Sequence, residues 1–112
     1  MTNGNKNRSV GKVLTGSSAD VYVVPAAFKA DVESIVIVNT SNSVVKFDLN
    51  WYQATTTTSY AIANDVELKP NSLLQLTNSL YLDKNDKITG LASITDIVTV
   101  SVRVREYFAE RL

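Results

Sequence analysis

Any chemistry in this sequence must rest on carboxylates, lysines, hydroxyls and aromatic rings, because it contains neither histidine nor cysteine. Their absence removes imidazole bases, thiol nucleophiles, catalytic triads, disulfides and zinc sites of the usual Cys/His kind. The densest run of potential cation-binding oxygens is Asp83-Lys84-Asn85-Asp86. Oxygen ligands suit Ca²⁺, but the run lacks the glycine and closing glutamate of a helical calcium loop, and it reads as a structural β-turn. Asp31, Glu33 and Asp48 lie near apolar segments. No spacing nominates two of them as the carboxylate pair, about 5–10 Å apart, that glycoside hydrolysis needs. They read as acids on a solvated sheet face. The expectation is no catalytic residue, no cofactor and no metal, hence not an enzyme.

Two sets of residues are candidates for binding. Trp51, Tyr52, Tyr60 and Tyr81 have the ring chemistry of a sugar platform. Trp51 shares the parity of Phe47 and reads as core, whereas Tyr52 and Tyr60 flank a threonine-rich loop at 54–59 and suit a glycan or a neighbouring subunit. A glycan platform requires both tyrosines to be exposed together. The second set is Lys6, Arg8 and Lys12, which give the first twelve residues three cations and no acid. Residues 13–102 carry a net charge of −4, so the zero total conceals a basic segment on an acidic body. Such a segment is either a solvated tail or an arm that reaches an acidic neighbour. Three cations without interleaved aromatics are too few for nucleic acid, which is not expected as a partner. The Asn-X-Ser patterns at Asn7 and Asn39 carry weight only for a secreted chain, and the polar N-terminus does not read as a secretory leader.

The elements that must position these residues are strands. Val, Ile and Thr number 15, 6 and 11 among 112 residues, and β-branched side chains fit a pleated, half-buried surface. No run approaches the roughly 18–20 apolar residues of a membrane-spanning helix, and no membrane partner is expected. Short apolar runs separated by turn residues place strands near 10–14, 19–24, 32–39, 44–53, 59–62, 65–69, 72–77, 87–93 and 97–107, the spacing of a sandwich or barrel. Residues 1–9 hold nothing to bury and read as a polar extended arm, with one domain over 10–112. Removal of residues 1–12 is expected to leave that domain folded.

Val98, Val100, Val102 and Val104 alternate with Thr99, Ser101, Arg103 and Arg105, which gives one buried and one wet face. Val45, Phe47, Leu49 and Trp51 alternate in the same way. Val21-Tyr22-Val23-Val24 and Ile35-Val36-Ile37-Val38 are apolar on both faces, as in strands covered on both sides. The expected core comprises those two alternating rows with Val36, Val38, Leu74, Leu76 and Ile88.

Three stretches resemble the small β-sandwich virion proteins of tailed bacteriophages. They are Tyr22-Val23-Val24-Pro25-Ala26, the run from Val32 to Ser41, and the run from Val45 to Tyr52. Val66 to Leu76 and Leu80 to Ile88 are similar to that group's second half, so the resemblance covers about residues 19–107. Asn85-Asp86 stands where the group commonly has Gly-Asp, and Ala27-Phe28-Lys29 replaces a glycine-bearing turn. The resemblance implies an antiparallel, jelly-roll-like two-sheet sandwich and a structural role in a virion assembled in the host cytoplasm. It implies a component added to a capsid, neck or tail, and the more specific expectation drawn here is a capsid decoration or cement protein. Its partners would be the major capsid protein or another virion protein, and further copies of itself, a trimer being favoured. Lys6, Arg8 and Lys12, in the arm outside the resemblance, and Tyr52 and Tyr60 are expected at protein interfaces on their own chemistry. A neck, tail or fibre-adaptor protein and a virion-displayed carbohydrate-binding module are the alternatives.

Overall fold

A computed structural model describes residues 6–77 and 80–108. Among the described residues, nine strands form two packed antiparallel sheets: β1 (Lys6–Val13), β2 (Ala19–Val23), β3 (Phe28–Asn39), β4 (Val45–Gln53), β5 (Thr58–Leu68), β6 (Leu73–Leu76), β7 (Leu80–Leu82), β8 (Lys87–Ala92) and β9 (Val98–Phe108). The first sheet runs β1-β9-β3-β6, with β7 pairing the other half of β3, and the second runs β2-β8-β4-β5. With β6 and β7 taken as two pieces of one strand, this is a jelly roll, two four-stranded sheets connected almost entirely by crossings from one to the other. Each sheet buries one face in a shared core built from Val98, Val100, Val102, Val104, Phe47, Leu49, Ile37, Ile88 and Leu82.

Backbone irregularities decide which residues face that core. A register shift between Val32 and Ser34 turns β3 over. Before the shift Ala30 and Val32 point inward, and after it Ile35 and Ile37 do. Val36 and Val38, expected in the core, therefore lie on the outer face, half-buried among their neighbours. A second shift between Asp20 and Tyr22 places both Val21 and Tyr22 inside, while Val23 is exposed. Among the described residues nothing covers the outer faces of these two doubly apolar strands. The segments 59–62 and 65–69 are one strand, β5, in which Asp65 takes a positive φ and its N–H is held by the Asp48 carboxylate at 2.6 Å.

Each end of the sandwich is pinned by one buried side chain. Asn39 donates to the carbonyls of Ser43, Leu68 and Lys69 and accepts from Ser41, which ties the β3–β4 turn to the β5–β6 turn. At the other end Asp86 accepts the backbone N–H groups of Asp83 and Ala54 and the indole of Trp51. The Asp83-Lys84-Asn85-Asp86 turn closes with the Asp86 N–H on the Asp83 carbonyl at 3.1 Å, and the Asp86 side chain locks it to the start of the β4–β5 loop. Asn85, where the virion-protein resemblance carries glycine, and Ala27, in the turn that replaces a glycine-bearing one, have φ of 68° and 74°, the left-handed region in which glycine carries no steric cost.

Candidate functional site

The carboxylates singled out from the sequence are each committed within the chain. Asp31 pairs with Arg105 at 2.7 Å and accepts from the Tyr107 hydroxyl, Glu33 faces Arg103 at 3.7 Å, and Asp48 holds the β5 bulge. Its ion pair with Asp31 raises the Arg105 pKa further, and burial together with Asp31 raises that of Tyr107. Among the described residues no three Asp or Glu side chains come together in a group that would hold a metal ion.

The tyrosines separate. Trp51 pairs across the sheet with Tyr60, and their rings lie 5.1 Å apart, whereas the next pair is Tyr52 with Ser59. Successive residues of a strand point to opposite faces, so Tyr52 and Tyr60 look out from opposite sides of the second sheet. Tyr52 lies instead under the Lys87 ammonium, which is 5.3 Å from its ring centroid. The joint exposure that a Tyr52–Tyr60 sugar platform requires does not occur.

The basic segment is not a free arm over its whole length. Lys6 to Val13 forms β1, paired residue for residue with β9 from Glu106 back to Thr99. Residues 1–5 of the expected arm lie outside the described residues. Arg8 reaches inward to Glu106 at 3.0 Å, and Lys6 sits over the Phe28 ring, itself stacked on Phe108. Lys12 is exposed on the edge strand. Removing residues 1–12 would therefore take away an edge strand and the cation facing a buried acid.

That acid is not among the residues singled out from the sequence. Glu106 continues the inward row of Val98, Val100, Val102 and Val104, is fully buried, and accepts from both Arg8 and the Tyr22 hydroxyl through Oε2. Its Oε1 has no hydrogen-bond partner among the described residues. Period-two parity alone points to it, since a carboxylate at the end of an inward valine row must find a cation or donor. Burial, with the neighbouring carboxylate of Glu106, raises the Tyr22 pKa well above that of an ordinary phenol.

The surface best suited to binding is the outer face of the first sheet. Register places Val13, Thr99, Val38 and Leu73 side by side across four strands, and Gly11, Ser101, Val36 and Gln75 in the next row. Neither row contains a charge. Val13 is 44% and Leu73 63% exposed, and Val44 and Ile94 are exposed in loops at the same end of the sandwich. Farther along this face the character changes to the ion pairs Arg103–Glu33 and Arg105–Asp31, beside the exposed ring of Tyr81. One sheet face is thus divided into an uncharged half and a half that carries the Arg103–Glu33 and Arg105–Asp31 pairs together with Lys29.

Comparison with known proteins adds the company this fold keeps. No protein-family model matches the chain, and no curated protein does. Solved structures match at low identity. A chain from Bacillus endospore appendages, a family of disulfide-linked pili, superposes with a TM-score of 0.57 at 14% identity, covering 98% of this chain and 96% of that one. A chain from the acid-stable capsid of Helicobacter pylori bacteriophage KHP30 gives a TM-score of 0.54 at 9% identity, over 96% and 90% of the two chains. Infectious bursal disease virus, Gx strain, gives 0.56 at 10% identity, where the match covers 97% of this chain but 31% of the viral one. At these identities the likeness is one of fold, a β-sandwich that recurs in capsids and pili.

Proposed function

We propose that this chain is a virion structural protein, and specifically a capsid decoration protein that docks on the lattice of a phage head assembled in the host cytoplasm. The observation that carries this reading is the uncharged half-face formed by Val13, Val36, Val38 and Leu73. Four strands about 4.8 Å apart and two rows about 7 Å apart give a patch of roughly 200–300 Å². That is well short of the ~800 Å² per partner of a stable two-body complex. A contact of this size serves where symmetry repeats it and effective concentration replaces affinity, as on a capsid. The end-to-end likeness to a phage capsid chain of similar length supports the same reading.

The major capsid protein is the proposed partner of the patch, with further copies of this chain, in a trimer, as the proposed assembly unit. Lys12 and Tyr60 remain available for contacts between subunits. A place in the neck or tail, or as a fibre adaptor, is the second reading, with the same patch meeting a different virion protein. A pilus subunit linked by disulfides is disfavoured, because this chain has no cysteine.

The test is a Val13→Lys/Leu73→Lys variant, mixed with capsids that lack the protein and sedimented with them. The variant should melt like the parent and fail to co-sediment. Full occupancy by the variant would remove the patch from the mechanism.

A further inference from the structure

We propose that the groove beside β9 receives the N-terminal strand of a second copy of this chain, residues 6–10 exchanging between two molecules about a hinge at Gly11. This does not depend on the virion reading.

Three observations meet here. The first is how little holds the segment. β1 is an edge strand in which Val10 alone is even half-buried, so the β9 ladder and the Arg8–Glu106 pair are its main attachments. Strands with few buried apolar contacts open at low cost. The second is that the vacated groove cannot stay vacant. Glu106 is fully buried, and without Arg8 its carboxylate keeps the Tyr22 hydroxyl as its one donor among the described residues. Charge complementarity therefore selects the occupant: an extended segment with a cation at the position of Arg8 and a small apolar side chain at that of Val10. Another copy of residues 6–10 satisfies this with the contacts already seen, so exchange leaves the bonding unchanged.

The third observation locates the hinge. Gly11 lies within the continuous strand although nothing here demands glycine: a Cβ built on it meets only the Val100 carbonyl, at 3.9 Å, an ordinary contact. A mid-strand glycine weakens the strand, and here it does so without a packing reason. Three residues on, past the exposed Lys12 and Val13, Leu14 is fully buried and fixed by its N–H on the Val98 carbonyl and its carbonyl under the Asp96 N–H. Motion is confined to the residues before Gly11. Copies that pass these segments to one another, reciprocally in a pair or in turn around a trimer, leave each β9 carrying a neighbouring copy's Arg8.

The absence of cysteine makes the test clean. Ser9 and Arg103 are exposed cross-strand partners, so a Ser9→Cys chain is mixed with an Arg103→Cys chain, refolded together from urea, and treated with a short bis-maleimide. Exchange predicts a cross-linked heterodimer about tenfold or more above a mixture of Ser9→Cys with Thr99→Cys, because paired strands hold the two thiols at millimolar effective concentration. Gly11→Val should reduce that yield. A single chain carrying both Ser9→Cys and Arg103→Cys, cross-linked within itself at high dilution, establishes that the reagent spans the pair. Heterodimer at no more than the Thr99→Cys level, while the double variant links internally, overturns the proposal.

Discussion

The hydroxyl of Tyr22, in one sheet, donates a 2.5 Å hydrogen bond to the buried carboxylate of Glu106, in the other. With Arg8 on the same carboxylate oxygen, the bond joins β1, β2 and β9 at the end of the sandwich where the valine row gives out. It is a polar lock in a wall otherwise made of β-branched side chains.

The lock has a pH signature. The Tyr22 pKa is raised in the folded protein, by burial first and by Glu106 second, whereas the unfolded chain titrates near 10. Above about pH 10 the folded state binds more protons than the unfolded one, so stability declines as pH rises further and is fully present below that point. Tyr107, also raised, acts in the same direction. Tyr22→Phe should lower neutral-pH stability by about 1–2 kcal/mol and flatten, without abolishing, the alkaline decline. Urea midpoints of both proteins, from neutral pH to about pH 12, measure it.

Removing the cation should cost more. Arg8→Met leaves a buried carboxylate facing one donor, and a loss of about 2–3 kcal/mol is expected. Arg8→Lys should recover part of it. Chemical denaturation at neutral pH reads both.

Ala27 offers a gain. It holds φ at 74° with a Cβ in the way, whereas Asn85 at 68° belongs to a residue type that tolerates this region. Ala27→Gly should stabilise by about 0.5–1 kcal/mol, a few degrees in Tm, and Asn85→Gly by less. Calorimetry distinguishes them.

Gly90 is the opposite case. A Cβ there would lie 2.8 Å from Leu49 Cδ2, 3.1 Å from the Asp48 carbonyl and 3.2 Å from Leu14 Cδ2. Gly90→Ala should therefore destabilise by about 1–3 kcal/mol through overpacking, with Leu14 or Leu49 forced to move. A lowered Tm with unchanged far-ultraviolet circular dichroism is the expected result.

Much of this architecture can be read in the residues because alternation is a local signal. The rows ending at Val104 and at Trp51 name their own buried faces, and the breaks at Thr15–Ser18 and Thr40–Ser43 fall in the loops observed. What escaped was non-local. In Ile35-Val36-Ile37-Val38 both parities are apolar, so nothing in the segment says which faces inward. The register shift at Glu33 and the pairing with Val100 and Val102 decide it. The three-residue β7 was missed for the same reason, since its strand character comes from β3 alongside it. On the surface, Tyr52 and Tyr60 are close in sequence and flank one loop, yet hairpin register sets Tyr52 against Ser59 and sends the two rings apart. Glu106, by contrast, is legible: it continues the parity of the valine row, which puts a carboxylate on the inner face.

The central claim, that this chain is a structural component carried by a virion through the uncharged face of its first sheet, is tested most directly by counting copies in particles. Particles produced by the genome that encodes the chain are purified on density gradients, and the protein is quantified against the major capsid protein by mass spectrometry. A fixed, lattice-related ratio is expected for the parent, with loss of the protein from particles carrying Val13→Lys/Leu73→Lys. Its absence from purified particles, while it is abundant in the infected lysate, would contradict the account.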